Sequence, residues 1–371
     1  MAFHAGWKFF LLLILIMIMG GGAPALAKDK YRIGYLQGGD YPTYNQLFKA
    51  LMKEFKNIGW EDKLEFPPDA CLDAKWNKDD CERLARELAA RKDLDMIWAM
   101  GTWAGLAMIK TDNHTTPICV LSVSNAVESG IIPGYNDSGR DNLTTRIDPT
   151  KYERQLRLFH TLFQFKKLGV VYADTPTGRT YADLPTLVKL SRELGFELVT
   201  YNKVPENKNE APAAILEGIK EIAPKIDAYY MTICIGFELD HVPGVMEILN
   251  QYKIPTMAMY GSDYVRAGAL MTIADSLYIQ RAVNKVEKMV KIFQGTKPRD
   301  LPVIFEPGPR LAINLAEAKI ISWDPPVDIL SISDEVYQKI WTLEEIIEQQ
   351  KIDWADQPSI EEKCGQGKAS H

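Results

Sequence analysis

The chain has 371 residues with 49 acidic and 43 basic side chains, which gives it a formal net charge of −6. An acidic chain without a basic patch is not expected to bind nucleic acid. The length exceeds what one hydrophobic core usually serves, so two domains are expected. Five cysteines are too few to form the scaffold of such a chain. These bounds exclude a nucleic-acid-binding protein and a small disulfide-rich domain.

Residues 1–27 have the features of a secretory signal peptide. Lys8 precedes the apolar run 9–19, and Ala25-Leu26-Ala27 supplies small residues for cleavage. The apolar run is shorter than the roughly 20 residues that a membrane span needs. An uncleaved N-terminal anchor is the alternative that the sequence leaves open. We therefore expect export to the periplasm, with a mature chain that begins at Lys28 and does not insert into the membrane.

Strand-like and helix-like segments alternate along the rest of the chain in two similar halves. Such alternation predicts parallel sheets with right-handed crossovers. After Gly268 the order changes, which predicts that the chain returns to each half. The predicted fold class is α/β, with two Rossmann-like lobes whose parallel sheets are joined by hinge crossovers. The predicted divisions are a first lobe at 28–146 with 268–303 returning to it, a second lobe at 147–267 with 304–356 returning to it, and a flexible tail at 357–371.

Two apolar runs organise the first half. Leu94–Thr102 and Pro117–Asn125 both end abruptly in small or hydroxyl-bearing residues, which is typical of buried strands in a parallel sheet. Ligands of open α/β sheets bind at the carboxyl ends of the strands. Thr102 also opens a helix-like segment, and its hydroxyl with the free N–H groups behind it suits a carboxylate. The pattern predicts a small-molecule site at this edge.

The cysteines allow one local disulfide. Cys71 and Cys81 lie in one polar stretch, and an exported protein can form a bridge between them. The sequence leaves open whether they are bridged or free. Cys119 and Cys234 lie in strand-like runs, where buried thiols are expected, and Cys364 lies in the polar tail.

Catalytic and metal-binding motifs are missing from the sequence. It contains no GxSxG, HExxH, GxxxxGK[ST] or GxGxxG motif. It also lacks a CxxC pair or a Cys/His cluster with metal-ligand spacing. We therefore predict no catalytic residue, no cofactor and no metal site. A secreted enzyme is the disfavoured alternative.

Several runs in a fixed order resemble one family. From about Tyr31 to Pro326, the chain is similar to the substrate-binding proteins of ABC transporters grouped with tryptophan and tyrosine uptake. The loops Gln37–Asp40 and Ser124–Val127 depart from the family pattern, at presumed ligand positions. The runs that carry the resemblance are DLDMIWAMGTWAG, TTPICVLSVSNAVESGI, GRDNLTT, KKLGVVYADTPTG, KIPTMAMYGSDYVRAGAL and RLAINLAEAKIISWDPP.

The resemblance implies a type I periplasmic binding protein, expected to be a monomer. Such a protein closes its two lobes around a small organic ligand and then docks on an ABC transporter permease. A periplasmic sensor for a membrane kinase or chemoreceptor is the alternative, and neighbouring genes would discriminate the two. The ligand-binding candidates are Gln37, Asp40, Tyr41, Thr102, Trp103, Ser124, Asn125, Tyr172, Asp174, Thr175, Gly236, Phe237, Tyr260 and Asp275.

An aromatic or other apolar amino acid is the first ligand hypothesis. Thr102, Ser124 and Asn125 would bind its carboxylate, and Asp174 or Asp275 would bind its ammonium group. Trp103, Phe237 or Tyr260 would contact its side chain. Structural roles are the alternatives: Thr102 as a helix cap, Trp103 packed beneath the cleft, Asp174 in a turn, and Asp275 as a charge at a helix start.

Overall fold

The computed structural model describes residues 28–273 and 278–365. The predicted signal peptide and the candidate Asp275 lie outside the described residues. Within the described ranges, no helix combines the length and the apolar character that a membrane crossing requires.

The first lobe is built on a parallel sheet. The order of its strands is β2-β1-β4-β5-β6, and β3 also pairs with β1. Strands β2 and β3 pair with successive parts of the same edge of β1. Alternating side chains of the sheet fill two apolar clusters, one on each face. The strands are β1 (Tyr31–Gln37), β2 (Leu64–Glu65), β3 (Cys71–Asp73), β4 (Met96–Met100), β5 (Ile118–Leu121) and β6 (Leu143–Thr144).

Helices cover both faces of this sheet, as its apolar strands require. Strand β4 is buried at every position, and the ring of Trp98 packs against Phe48 and Phe55. The first-lobe helices before the first crossover are α1 (Pro42–Asn57), α2 (Lys78–Ala90) and α3 (Thr102–Ile109).

The second lobe contains a mixed sheet of seven strands in the described part of the chain. Its order is β13-β12-β11-β10-β9-β7-β8, and only the β11–β12 pair among these is antiparallel. The strands are β7 (Lys167–Val171), β8 (Glu197–Tyr201), β9 (Ala228–Met231), β10 (Thr256–Ala258), β11 (Met271–Ile273), β12 (Leu311–Asn314) and β13 (Glu335–Tyr337).

The remaining helices follow the β-α alternation. Helix α10 returns to the first lobe, where its apolar face joins the core beside α1. These helices are α4 (Lys151–Phe163), α5 (Pro176–Tyr181), α6 (Leu184–Leu194), α7 (Ala211–Ile222), α8 (Val242–Gln251), α9 (Ser262–Arg266), α10 (Ile279–Phe293), α11 (Leu315–Ile320), α12 (Val327–Ile332), α13 (Leu343–Asp353) and α14 (Ile360–Lys363). The predicted two-lobed α/β fold is confirmed.

The chain crosses between the lobes at positions that differ in part from the predicted divisions. The chain passes from the first lobe to the second near Ile147 and again near Val303. These two crossovers run side by side, because Ile147 N donates a 2.8 Å hydrogen bond to Val303 O. The segment expected to return to the first lobe at 268 does so later, because β11 fills the space between β10 and β12 in the second sheet. The return begins with α10.

The Cys71–Cys81 bridge, which the sequence left open, is not formed. Cys71 is bonded to Cys364, while Cys81 is a buried free thiol. Cys71 belongs to the apolar cluster on one face of the first sheet, and Cys81 to the cluster on the opposite face. The sheet therefore separates the two thiols. The segment that we predicted as flexible instead contains α14 and a covalent link to β3.

Glu317 makes a testable contribution to stability. It is fully buried in α11, and one carboxyl oxygen accepts a 3.2 Å hydrogen bond from Asn250 Nδ2. Burial raises its pKa from 4.5 to about 7. Between those values the unfolded chain has lost the proton that the folded chain keeps, so stability falls as the pH rises through this window.

We expect Glu317→Gln to remove this fall and to raise the free energy of unfolding at pH 8 by about 1–3 kcal/mol. Urea unfolding at pH 5 and pH 8 measures the difference. Glu217→Gln, at an exposed position of α7, is the matched control and should leave the pH dependence unchanged. Equal pH slopes in wild type and Glu317→Gln would contradict the prediction.

Candidate functional site

A cavity of about 410 Å³ lies between the two lobes. The first lobe contributes the start of α1, the start of α3 and the loop after β5. The second lobe contributes the loops after β9 and β10. Residues of the crossovers and of α13 complete the lining. Because the carboxyl ends of parallel strands from both sheets meet here, the position matches the expected ligand edge of α/β sheets.

The lobes also contact each other beside the cavity. Lys78 Nζ at the start of α2 lies 2.8 Å from a carboxylate oxygen of Glu206 in the second lobe, and it lies over the ring of Trp103. The Thr175 hydroxyl donates a 2.7 Å hydrogen bond to the other oxygen of Glu206. Burial opposes the charge of Glu206, but the hydrogen bonds from Lys78 and Thr175 hold its pKa below the ordinary value. This contact joins the lobes in the structure.

Tyrosines form much of the cavity wall. The rings of Tyr260 and Tyr264 stack with centroids 4.0 Å apart, and those of Tyr41 and Tyr44 meet edge to face at 5.2 Å. Among the described residues, the tyrosines that line the cavity are Tyr41, Tyr44, Tyr152, Tyr181, Tyr260, Tyr264 and Tyr278. Such rings offer flat apolar surfaces together with hydroxyl groups.

Burial raises the pKa of several of these hydroxyls further above neutral pH. It raises the pKa of Tyr181 to about 12 and raises the pKa of Tyr44 and of Tyr260 well above the usual range. The hydroxyl oxygen of Tyr260 accepts a 3.0 Å hydrogen bond from Cys234 N, which fixes the ring at the end of β9. The wall therefore presents neutral hydrogen-bonding groups rather than phenolates.

Basic side chains line the cavity near the crossovers. Arg146, Lys151, Arg281 and Lys285 all contribute to the lining. Burial lowers the pKa of Lys151, and the charges of Arg281 and Arg146 lower it further. Burial likewise lowers the pKa of Lys285, and the charge of Arg146 lowers it further. The shared electrostatic causes show that these cations lie close together.

Acidic lining residues have partners of their own. Asp148 is paired with Arg154 at 2.9 Å and with Arg146 at 3.6 Å. On the second lobe, Glu238 is paired with Lys208 at 2.9 Å. Within the described residues no group of acids, histidines and cysteines is arranged to hold a metal ion. The arrangement suits reversible binding by aromatic contact, hydrogen bonds and charge.

Five sequence candidates line the cavity. The hydroxyl-bearing Thr102 and Ser124 follow β4 and β5, and Gly236 follows β9 with a φ of 80°. Tyr41 precedes α1, and Tyr260 follows β10. The sequence located all of these residues because the residues that follow each parallel strand lie at the same edge of the sheet.

Three of the other candidates have local roles away from the lining. Asn125 Oδ1 accepts hydrogen bonds from Val127 N and Glu128 N, which closes a turn. The Thr175 hydroxyl caps α5, and Asp174 is paired with Arg179 at 2.6 Å.

The remaining candidates are core or loop residues. Trp103 and Phe237 are buried in apolar clusters, as is Tyr172. Gln37 accepts a hydrogen bond from the Tyr35 hydroxyl. Asp40 is exposed, and its backbone carbonyl accepts a 3.2 Å hydrogen bond from Trp76 Nε1.

Our sequence reasoning missed most of the tyrosines and all the basic lining residues. Helical spacing was an available signal for the basic residues, because Arg281 and Lys285 lie four residues apart on α10. Residues at such spacing share one side of a helix. The missed lining residues of these two kinds are Tyr44, Tyr152, Tyr181, Tyr264, Tyr278, Arg146, Lys151, Lys208, Arg281 and Lys285.

Solved structures share this architecture. A conserved domain protein from Vibrio cholerae is 22% identical with a TM-score of 0.68, covering 83% of this chain and 99% of that chain. An ABC domain from Streptococcus pneumonia in complex with L-Trp is 18% identical with a TM-score of 0.66, covering 82% and 99%. A substrate binding protein with adhesive properties from Clostridium difficile, in its ligand-free, open form, is 22% identical with a TM-score of 0.62, covering 83% and 100%.

No curated protein sequence matches the chain significantly. The family model for the ABC transporter substrate binding protein matches residues 40–336, which include every strand of the first sheet except β1, the second sheet except the last residue of β13, and most of the cavity lining. The chain therefore belongs to the ABC transporter substrate-binding proteins, which bind solutes and are not enzymes.

Proposed function

We propose that the protein captures a small organic solute with an aromatic or other apolar group and delivers it to an ABC permease. An aromatic or apolar amino acid is the first ligand to consider. One observation carries the proposal: tyrosines from both lobes surround a cavity of about 410 Å³ between the sheets. A cavity of this size is typical of small-molecule sites, which combine apolar walls with a few polar groups.

Thr102 and Ser124 are the proposed contacts for a carboxylate of the ligand. Both side chains reach the cavity from the carboxyl ends of neighbouring strands. Thr102 is the first residue of α3, so free backbone N–H groups lie beside its hydroxyl. The stacked pair Tyr260 and Tyr264 offers a ring surface for the apolar part. The L-Trp bound by the Streptococcus protein of the same fold supports an aromatic ligand.

Delivery requires that the ligand changes the balance between open and closed lobes. A ligand that touches both lobes binds the closed form better and therefore increases its population. The Lys78–Glu206 ion pair would then form in the closed state and open with the lobes. In this proposal the protein acts in the periplasm as a monomer after removal of residues 1–27.

A thermal-shift screen of the purified protein against amino acids, purines, sugars and small acids tests the capture step. A ligand at 100 times its Kd should raise the free energy of unfolding by about 2.7 kcal/mol. A ligand that shifts the melting temperature should also compact the protein in small-angle X-ray scattering. Uptake of that ligand by vesicles that carry the cognate permease tests delivery. Binding without stimulated uptake would favour the sensor alternative.

Thr102→Val tests the carboxylate contact without changing the shape of the side chain. We expect affinity for the ligand from the screen to fall more than tenfold, which is about 1.4 kcal/mol. Asp174→Ala is the matched control, because Asp174 is paired with Arg179 away from the cavity lining. Isothermal titration calorimetry measures both. If the two variants bind alike, Thr102 does not contact the ligand.

A further inference from the structure

Basic side chains concentrate at the base of the cavity, where the chain passes between the lobes. Arg146 directly precedes Ile147, whose N–H donates to Val303 O where the chain first passes between the lobes. Lys151 is the first residue of α4. Arg281 and Lys285 lie four residues apart on α10, the helix with which the chain returns to the first lobe. All four line the cavity, and we call them the hinge-side cluster.

Lys285 is the most informative member of the hinge-side cluster. Its side chain lines the cavity although only 7% of the residue is exposed. Among the described residues its ammonium group has no hydrogen-bond or ion-pair partner, and Arg146, Lys288 and Arg281 repel its charge. A buried cation without a partner is costly to maintain. An anionic partner inside the cavity would offset that cost.

Among the residues that the structure describes, the acids near this cluster leave an excess of positive charge. Asp148 already pairs with Arg154 and Arg146. Asp183 interacts with Lys151, but burial raises the pKa of its carboxyl to about 6. Behind the lining, Lys288 adds a further cation, whose Nζ donates to the carbonyl oxygen of Thr145 over 3.0 Å.

The geometry points to an anion subsite formed by Lys151, Arg281 and Lys285, and to a ligand that is an organic acid with a net negative charge. This inference rests on the proposed function and narrows its ligand class. The 13-residue helix α4 begins at Lys151, so its free N–H groups add favourable interaction with an anion. The tyrosine wall would contact the planar or apolar body of the same molecule. A zwitterionic amino acid would instead bring its ammonium group into a region of like charge.

Matched probes with one ring and different charges test the subsite. They are 3-(4-hydroxyphenyl)propanoate, L-tyrosine and tyramine, which are an anion, a zwitterion and a cation. Calorimetry on the purified full chain should show the anion binding at least tenfold more tightly than L-tyrosine. Binding should weaken with added salt. At alkaline pH binding should also take up protons, measured in buffers of different ionisation enthalpy, because burial lowers the pKa of Lys151 and Lys285 and an anion beside them raises it again.

Variants test whether the hinge-side cluster causes the preference for the anion. Lys285→Met and Arg281→Gln should each weaken binding of the anion by tenfold or more. Lys291→Met removes the same charge from an exposed position of α10 and should change nothing. Without ligand, Lys285→Met should melt at a higher temperature than wild type, because it removes a buried cation.

Two results would overturn the inference. One is tighter binding of L-tyrosine than of the anion, with an affinity that Lys285→Met does not change; the proposed function would survive this result. The other is no binding of the anion together with an unchanged melting temperature in Lys285→Met. The broad screen and the uptake assay would then judge the proposed function separately.

Discussion

Replacing Cys364 with Ser is expected to lower the free energy of unfolding by about 2–5 kcal/mol. The lost bond joins Cys71 in β3 to a residue 293 positions later, so it closes a loop that contains almost the whole folded chain. A cross-link across such a long loop restricts the unfolded chain strongly. Urea unfolding under non-reducing conditions measures the loss.

The disulfide also fixes one side of the cavity. Helix α13 lines the cavity through Leu343, Ile347 and Gln350. Ile346 of the same helix is buried in the core of the second lobe, whereas Trp354 just beyond it is buried in the core of the first. The segment from α13 to Cys364 therefore crosses between the lobes. We expect Cys364→Ser to weaken ligand binding as well as stability.

Cys81→Ala is the control for this prediction, because Cys81 is the cysteine that local spacing suggested as the partner. It should cost only about 1 kcal/mol, as a small buried residue. Thiol titration of the unfolded proteins gives an independent readout. Three thiols are expected in wild type, from Cys81, Cys119 and Cys234, and Cys364→Ser should add that of Cys71. A wild-type protein in which Cys81 is bridged would contradict the structure.

The fold was largely predictable because its signals are local. A continuous apolar run such as 96–100 identifies a buried parallel strand, and the helix that begins at Thr102 was predicted from local pattern alone. The disulfide was not predictable in this way. Two thiols with nine residues between them looked like possible partners, but the sheet lies between them, and the true partner comes from the opposite end of the chain.

The site was predictable only in part, for a related reason. Counting to the ends of strands located Thr102 and Ser124, because parallel strands deliver successive residues to one edge. The same rule selected Asn125 and Thr175, whose short polar side chains instead satisfy backbone groups of their own loops. Lys285 was missed because it lies between apolar residues of an amphipathic helix, where its burial depends on how the two lobes meet.

Gly101→Ala is the other substitution with a large expected effect. Gly101 links β4 to α3 with a φ of 92°, and an added Cβ would lie 2.0 Å from the Tyr44 hydroxyl oxygen and 2.6 Å from its ring. The positive φ costs about 1–3 kcal/mol for a residue with a side chain, and overpacking adds about 1–3 kcal/mol. Tyr44 must also move, and it lines the cavity beside Thr102.

We therefore expect Gly101→Ala to lower the free energy of unfolding by about 2–6 kcal/mol and to weaken ligand binding more than tenfold. Gly59→Ala separates the two causes: Gly59 has a φ of 69°, but no atom lies within 4 Å of the added Cβ. That control should lose about 1 kcal/mol of stability and none of the affinity. Chemical unfolding and calorimetry measure both quantities. Equal losses in the two variants would mean that the backbone conformation alone matters, and that Tyr44 does not depend on the space that Gly101 leaves beside the cavity.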